Sequence, residues 1–258
     1  TGAFLYKDSY PSSTWLALIA ERLAAGRAVL ANDGAYICSI DDNELPALRL
    51  SMDSCFGREN FISSIAWKSR DSVSSDHKVS LNHNYHVVYA RKMQESAFGG
   101  FALDPDDYKN PDNDERGPWK LVPIDANKGG GDTRYGIKNS LTGVTYFPPN
   151  GRSWAFNSKT YENLLSDNRI MFGSGGESAP KRKLFLRERQ QAGDVKTPVS
   201  IWSESETTKD GTQQIVDLFG HKVFAYPKPV GVALDLAKTS HVSIGAAVLD
   251  YFAGSGTT

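Results

Sequence analysis

Residues 248–258 have the sequence Val-Leu-Asp-Tyr-Phe-Ala-Gly-Ser-Gly-Thr-Thr, an apolar run that leads into a Gly-Ser-Gly turn. The run predicts a buried β-strand over residues 246–252. Glycines at such a turn let a ligand approach the backbone closely, and ligands of α/β proteins bind at the carboxyl ends of strands. The stretch therefore predicts an α/β fold with a small-molecule site directly after this strand.

Three classes of ligand use a turn of this kind, and the neighbouring residues separate them. A P-loop requires a Lys after its final Gly, and Thr257 stands there instead. A dinucleotide fingerprint requires a third Gly just past Thr258. Asp250 would repel a pyrophosphate at short range but would attract a cation. S-adenosylmethionine carries an ammonium and a sulfonium and fits best, and the remaining alternative is an ordinary strand-turn-helix corner.

The same stretch resembles the cofactor motif of amino-methylating DNA methyltransferases, in which Asp-x-Phe-x-Gly-Ser-Gly-Thr-Thr is characteristic. Residues 226–230, Tyr-Pro-Lys-Pro-Val, are similar to the Lys-Pro segment that walls the methionine end of the cofactor in that family. Taken alone, this segment would indicate only a rigid turn that caps a helix. The resemblance implies S-adenosylmethionine as the cofactor, held by Lys228, Pro229, Asp250, Phe252, Ala253, Gly254, Ser255, Gly256 and Thr257.

Further segments resemble the subgroup in which the catalytic motif precedes the cofactor motif. They are residues 1–2, 8–10, 15–16, 40–44, 59–68, 82–85 and 88–90. Residues 146–154, Tyr-Phe-Pro-Pro-Asn-Gly-Arg-Ser-Trp, most resemble the modification subunits of type III restriction systems and their adenine-specific relatives. The family's Asp-Pro-Pro-Tyr catalytic motif is expected before Thr1, so the resemblance assigns no catalytic residue here. We expect the chain to be a fragment of a longer enzyme and inactive alone.

Helical and strand patterns alternate at both ends of the chain. They predict helices from residue 12 to a stop at Gly26, from caps at Asp41, Asp42 or Asn43 to Gly57, and over residues 212–219 and 229–238. Strands are predicted over residues 61–67 and 83–91, and over residues 35–40 as a strand buried on both faces of a parallel sheet. The polar residues 68–81 predict a mobile loop.

Between residues 95 and 200 the chain is rich in Pro, Gly and Asp. Short strands are predicted over residues 143–147 and 169–172, with a short helix over 159–165. The fold prediction is an incomplete Rossmann-like methyltransferase core with an irregular α+β target-recognition insert. The predicted domains are the catalytic-side half of the core (1–94), the insert (95–200) and the start of the cofactor-binding half (201–258).

The charges of the chain balance, with 29 Lys and Arg against 30 Asp and Glu, so a nucleic-acid partner requires a local basic patch. One candidate patch is the cluster over residues 181–189, which equally fits a solvated helix face with an apolar back. The others lie near a triple-Gly loop and in the loop over residues 68–81. The candidate DNA-binding residues are Lys181, Arg182, Lys183, Arg187, Arg189, Lys128, Arg134, Lys68 and Arg70, with His77 and Lys78 beside the last two.

Several classes of protein and site are disfavoured. His77, His83 and His86 lack partners at metal-ligand spacing, so no metal site is expected. Cys38 and Cys55 are expected to be buried free thiols, which fit a reducing compartment. No apolar run is long enough for a membrane span, and no signal peptide is apparent. The protein is therefore expected in the cytoplasm of a bacterium or phage-infected cell.

The predicted function is that of a fragment of a site-specific DNA methyltransferase, which transfers methyl from S-adenosylmethionine to N6 of adenine in duplex DNA. The expected partners are double-stranded DNA and either a second copy or a restriction subunit. One alternative is a DNA-binding module that kept the fold without the chemistry. Another is a nucleotide-dependent oxidoreductase, which Asp250 disfavours.

Overall fold

The computed structural model describes residues 12–75, 78–96, 98–127, 132–173, 175–240 and 245–258. The chain divides into two compact units. The first unit comprises the residues up to Phe101 and from Lys196 onward, and the second comprises Ala102–Val195. The functional roles predicted for the three segments of the chain stay predictions.

The described residues form α-helices and β-strands in both units. In chain order they are α1 (Ser12–Val29), β1 (Ala35–Ile40), α2 (Leu45–Phe56), β2 (Phe61–Lys68), β3 (His83–Ala90), β4 (Trp119–Pro123), β5 (Asp125–Ala126), β6 (Ile137–Lys138), β7 (Thr145–Tyr146), β8 (Ser153–Trp154), α3 (Ser158–Ser166), β9 (Ile170–Met171), β10 (Lys181–Phe185), α4 (Leu186–Gln191), β11 (Ile201–Trp202), α5 (Thr208–Phe219) and α6 (Val230–Thr239). Among them, no helix is long and apolar enough to span a membrane.

The first unit contains a four-stranded sheet in the order β1-β3-β2-β11. β3 is antiparallel to both of its neighbours, whereas β11 runs parallel to β2. The prediction that β1 is buried on both faces of a parallel sheet is wrong. Its neighbour is antiparallel and its residues are mostly half-buried, because it has one partner strand among the described residues.

Alternate side chains of β3 point into two separate apolar cores. Val87 and Tyr89 pack with residues of α1 and α2, including Leu23 and Met52. Val88 instead packs with Ile65, Trp67, Trp202 and Val232 of β2, β11 and α6. The sheet is therefore covered by helices on both faces, which confirms a mixed α/β architecture. Full burial of each large apolar side chain contributes about 1.5–3 kcal/mol.

The ends of the helices show which glycines in the sequence correctly predict where a helix stops. Gly57 and Gly220, both at positive φ, end α2 and α5 as predicted. Gly26 does not end α1, which continues to Val29. Gly26 is buried, and a Cβ there would meet the ring of Tyr36, so this glycine serves close packing.

The predicted caps of α2 are also wrong. Its N-cap residue is Glu44, which makes no capping hydrogen bond with its side chain. The carboxylate of Asp41 accepts a hydrogen bond from the backbone N–H of Asn43 instead, at 3.0 Å. The Asp side chain therefore closes a local turn before the helix begins.

The second unit is built from small antiparallel sheets. β10 lies between β4 and β9, while β5 pairs with β8 and β6 pairs with β7. The predicted strands over residues 143–147 and 169–172 are present as β7 and β9 in shorter form, and the predicted helix over 159–165 is present as α3. The helix-face interpretation of residues 181–189 is wrong for its first part, because Lys181–Phe185 is the central strand of a sheet.

A buried lysine organises the interior of the second unit. Lys183 has no exposed surface, and its Nζ lies 2.5 Å from Asp112 and 3.2 Å from Asp114. Trp119 donates its indole N–H to Asp112, and Arg116 pairs with Asp114, both at 2.8 Å. Hydrogen bonds from Arg116, with further ones from Lys183, hold the pKa of Asp114 below its ordinary value. A buried cation is tolerated only with such partners.

Removal of this cation should destabilise the second unit. We predict that Lys183→Met lowers the free energy of unfolding by about 3 kcal/mol, because Asp112 and Asp114 lose a buried partner. Lys181→Met, on the same strand but half-buried, should change it by less than about 1 kcal/mol. Urea unfolding measures both, and equal losses in the two variants would contradict the assigned role of Lys183.

Acid should weaken the same network. The pKa of Asp114 is lower in the folded state than in the unfolded state, so its stabilisation is complete at neutral pH and is lost as pH falls below about 4. We predict that the urea midpoint falls less steeply with acidification in Asp114→Asn than in the wild type. Identical pH dependence in the two proteins would exclude Asp114 as a source of acid sensitivity.

Candidate functional site

The carboxyl ends of three strands lie at one edge of the sheet in the first unit. β1, β2 and β11 run in one direction, so their carboxyl ends share this edge with the beginning of β3. Asp41 and Asp42 follow β1, and Ser69 and Arg70 follow β2. Ligands of α/β proteins bind at the carboxyl ends of strands. This edge is therefore the candidate functional edge of the unit.

Three side chains form a polar cluster there. The Nε2 atom of His83 lies 2.8 Å from the hydroxyl of Tyr85 and 3.7 Å from the carboxylate of Asp42. Burial, with the negative charge of Asp42 in the same direction, raises the pKa of Tyr85. Sequence reasoning did not single out this cluster. The available signal was that residues 40–44 and 82–85 both resemble methyltransferase segments.

The predicted cofactor turn is formed in the structure. The backbone N–H of Gly256 donates to the carbonyl of Ala253 at 2.8 Å. Gly254 and Gly256 have φ values of 57° and 72°, a region that favours glycine. The hydroxyl of Thr257 donates to the carbonyl of Lys228 at 3.0 Å and so ties the Lys-Pro segment to the turn.

Asp250 lies beside the same turn. Its carboxylate accepts hydrogen bonds from the backbone N–H of Phe252 at 3.0 Å and from the hydroxyl of Thr258 at 2.7 Å. An ionised carboxylate offers about four acceptor positions, so it keeps capacity for a cationic ligand. The structure thus brings Asp250, Thr257 and Lys228 into one neighbourhood, whereas their binding roles stay predictions.

The predicted strand over residues 246–252 is wrong. These residues form no strand, and Val248, Leu249 and Phe252 are 55, 65 and 58% exposed. A strand requires a neighbour for its backbone hydrogen bonds, and none of the described strands pairs with this segment. The side chain of Asp250 instead accepts the N–H of Phe252 and turns the chain.

A buried histidine lies on β3. His86 is fully buried between Trp67 and Trp202, whose rings lie 5.6 and 5.8 Å from the imidazole. Its Nδ1 lies 2.9 Å from the hydroxyl of Ser39, and its Nε2 has no hydrogen-bond partner among the described residues. Burial lowers the pKa of His86 to about 4, and the positive charge of Lys228 acts in the same direction.

The amine of Lys228 is subject to two opposing electrostatic effects. Desolvation lowers the pKa of this amine, and the negative charge of Asp250 opposes that shift. Lys228 as a whole is exposed, so solvent screens the charge of its amine. The charge of Lys228 acts on His86, and the charge of Asp250 acts on Lys228.

The basic cluster over residues 181–189 is split by the fold. Lys183 is buried and ion-paired, which is inconsistent with direct contact to a phosphate. Arg189 pairs with Asp194 at 2.7 Å. Arg182 is half-buried with its guanidinium 5.5 Å from the ring of Phe156. Lys181 is half-buried and Arg187 is exposed, so these two keep most access to solvent.

The other DNA-binding candidates differ in their surroundings. Lys68 pairs with Asp71 at 3.0 Å, and Arg70 donates to the carbonyl of Leu81 at 2.8 Å. Arg134 is exposed. Lys128, the three glycines after it and His77 lie outside the described residues.

The described part of the chain contains both cysteines and allows a search for groups of metal ligands. Cys38 and Cys55 are free and half-buried, so the prediction of free thiols is confirmed and that of full burial is wrong. Burial raises the pKa of the Cys38 thiol to about 12. Within the described ranges, no group of three or more His, Cys, Asp or Glu side chains could hold a metal ion.

Comparison with known proteins settles the family. Residues 3–258 match the N6_N4_Mtase family model, which is described as DNA methylase. The chain belongs to this DNA methylase family. The resemblance inferred from residues 226–230 and 248–258 is thereby confirmed.

Individual proteins show the same likeness. The chain is 34% identical to the type III restriction-modification enzyme StyLTI Mod subunit of Salmonella typhimurium, over 95% of this chain and 37% of that protein. It is 30% identical to the EcoPI Mod subunit of Escherichia phage P1, over 99 and 43%. It is 27% identical to the type II methyltransferase M.KpnI of Klebsiella pneumoniae, over 95 and 61%. The chain therefore spans about two fifths to three fifths of these relatives.

The effect of the Lys228 charge on the pKa of His86 can be tested by titration. We predict by NMR that the imidazole of His86 protonates only near pH 4 in the folded protein. Lys228→Met should raise this pKa, because it removes a positive charge that opposes protonation. Lys222→Met, a change at an exposed lysine, is the control and should leave the pKa unchanged. An unchanged His86 titration in Lys228→Met would contradict this electrostatic effect.

Proposed function

We propose that this chain is part of a site-specific DNA methyltransferase that transfers a methyl group from S-adenosylmethionine to N6 of adenine in duplex DNA. Membership of the DNA methylase family and the likeness to Mod subunits support the proposal. The observation that carries it is the contact between Thr257 and Lys228, which joins the two cofactor segments at one place. A DNA substrate supports the cytoplasm of a bacterium or phage-infected cell as the proposed place of the reaction.

The residues near the turn fit S-adenosylmethionine. The carboxylate of Asp250 offers negative charge to the ammonium and sulfonium of the cofactor, and Gly254 and Gly256 leave the backbone open to close approach. Lys228 and Pro229 wall one side of this space in our proposal, held there by Thr257. When bound, the cofactor supplies an electrophilic methyl group on sulfur. The chain supplies binding, orientation and exclusion of water.

A Rossmann-like core with a target-recognition insert is part of the same proposal. Helices on both faces of the sheet support the core, and the separate second unit over Ala102–Val195 supports the insert. We propose that the second unit, with exposed cations such as Arg134 and Arg187, contacts the phosphates of duplex DNA. A second copy or a restriction subunit is the proposed protein partner.

Adenine amines are weak nucleophiles inside a stacked duplex, so the target base must leave the stack before transfer. The acceptors that polarise this amine belong, in the family, to the Asp-Pro-Pro-Tyr motif, which is not among residues 1–258. The proposed task of this chain is therefore to hold the cofactor and to recognise and position the DNA.

Methyl transfer by the full-length protein that contains this chain tests the proposal. Labelled S-adenosylmethionine and mixed-sequence duplex DNA are the reactants, and mass spectrometry of the digested DNA identifies the modified base. We expect label on N6 of adenine, and sequencing of the methylated DNA then gives the recognition site. A protein that binds DNA but transfers no label would favour a non-catalytic DNA-binding module.

Asp250 provides the matching test of the cofactor site. We predict that Asp250→Asn weakens binding of S-adenosylmethionine by about 10- to 100-fold, because a negative charge beside a cationic ligand is lost. Asp33→Asn, a change in the exposed loop between α1 and β1, should leave the affinity unchanged. Calorimetric titration measures both variants, and equal affinities for wild type and Asp250→Asn would contradict the assigned role.

A further inference from the structure

A short hairpin of the second unit presents a leucine to solvent. β6 and β7 pair in antiparallel register, with Ile137 opposite Tyr146 and Lys138 opposite Thr145. The loop between them, residues 139–144, carries Leu141 with 83% of its surface exposed. Exposure of a leucine forfeits about 1.5–3 kcal/mol relative to full burial. The cofactor site proposed above makes no use of this side chain.

The backbone at the tip is held firmly in place. Asn139 is fully buried at the base of the loop, and its side-chain amide donates to the carbonyl of Gly176 at 2.8 Å. Its side-chain oxygen accepts the backbone N–H of Leu141 at 2.9 Å. Gly143, at a φ of 74°, closes the turn by donating to the carbonyl of Asn139 at 2.8 Å. Leu141 is thus displayed on an ordered backbone.

The surroundings of Leu141 suit a ligand that has stacked apolar groups with negative charges on both sides of the stack. Val144 and Phe147 are 48 and 67% exposed on the same hairpin and its exit. Lys138 and Arg134, on the strand and the segment that leads into it, are exposed and have no ion pair among the described residues. The adjoining segments also carry the exposed acids Asp132 and Glu177, so the apolar tip carries more of the argument than net charge does.

We propose that Leu141 is a wedge that enters the base stack of duplex DNA when the target adenine leaves it. The proposal rests on the proposed function, because it supplies the base-flipping step with a residue. A flipped base leaves a gap in the stack, and proteins that open base steps insert Leu, Phe or similar apolar side chains. Lys138 and Arg134 then contact the phosphates beside the gap.

The test uses the full-length protein and a duplex that contains the recognition site found by sequencing. Leu141→Ala should lower the rate of methylation at least about tenfold on a fully paired duplex, with unchanged affinity for S-adenosylmethionine. A duplex with an abasic site opposite the target adenine should restore most of that rate, because the base no longer has to be unpaired. Leu165→Ala, at a leucine of α3 that is 46% exposed, is the control and should behave as wild type.

The possible outcomes distinguish a failure of the wedge proposal from a failure of the proposed function. A wild type that methylates no DNA overturns both. A wild type that methylates, with Leu141→Ala equally fast on paired duplex, overturns the wedge alone. A slow Leu141→Ala that the abasic duplex does not rescue also overturns the wedge, because a structural defect would slow both substrates alike.

Discussion

The pairing of β3 with both of its neighbours is the interaction on which the first unit depends. Along its length β3 forms backbone hydrogen bonds to β1 and β2, and its side chains alternate between two cores. The same strand begins at the polar edge with His83 and Tyr85 and carries His86 into the core between Trp67 and Trp202. A shift of its register by one residue would exchange the two faces of β3. It would remove His83 and Tyr85 from the polar cluster and His86 from the core.

The sequence predicts those elements whose structure depends on their own residues and not on a distant partner. β1 lies where its apolar run predicts, and Gly57 and Gly220 end helices because the chain needs positive φ there. The strand over residues 246–252 fails for the opposite reason, since a strand depends on a neighbour that its own sequence does not specify. The sequence did not predict the burial of Lys183 either, because its partners Asp112 and Asp114 lie about 70 residues earlier.

The sequence predicted the separate segments of the candidate site but not how the fold brings them together. Resemblance located the Lys-Pro segment and the glycine turn, and the structure joins them through Thr257. The cluster of Asp42, His83 and Tyr85 and the unpaired Nε2 of His86 were not predicted, because they arise from strand order and register. Long-range placement of this kind carries no signature in residue spacing.

The central claim is that the turn at residues 253–256 and the Lys-Pro segment form one binding site for S-adenosylmethionine. Photocrosslinking of labelled S-adenosylmethionine to the full-length protein, followed by peptide mapping, tests it most directly. The account predicts label in peptides that contain Lys228 or residues 250–257, and loss of that label when unlabelled cofactor is added in excess. Label confined to the second unit, or label that excess cofactor does not displace, would contradict it.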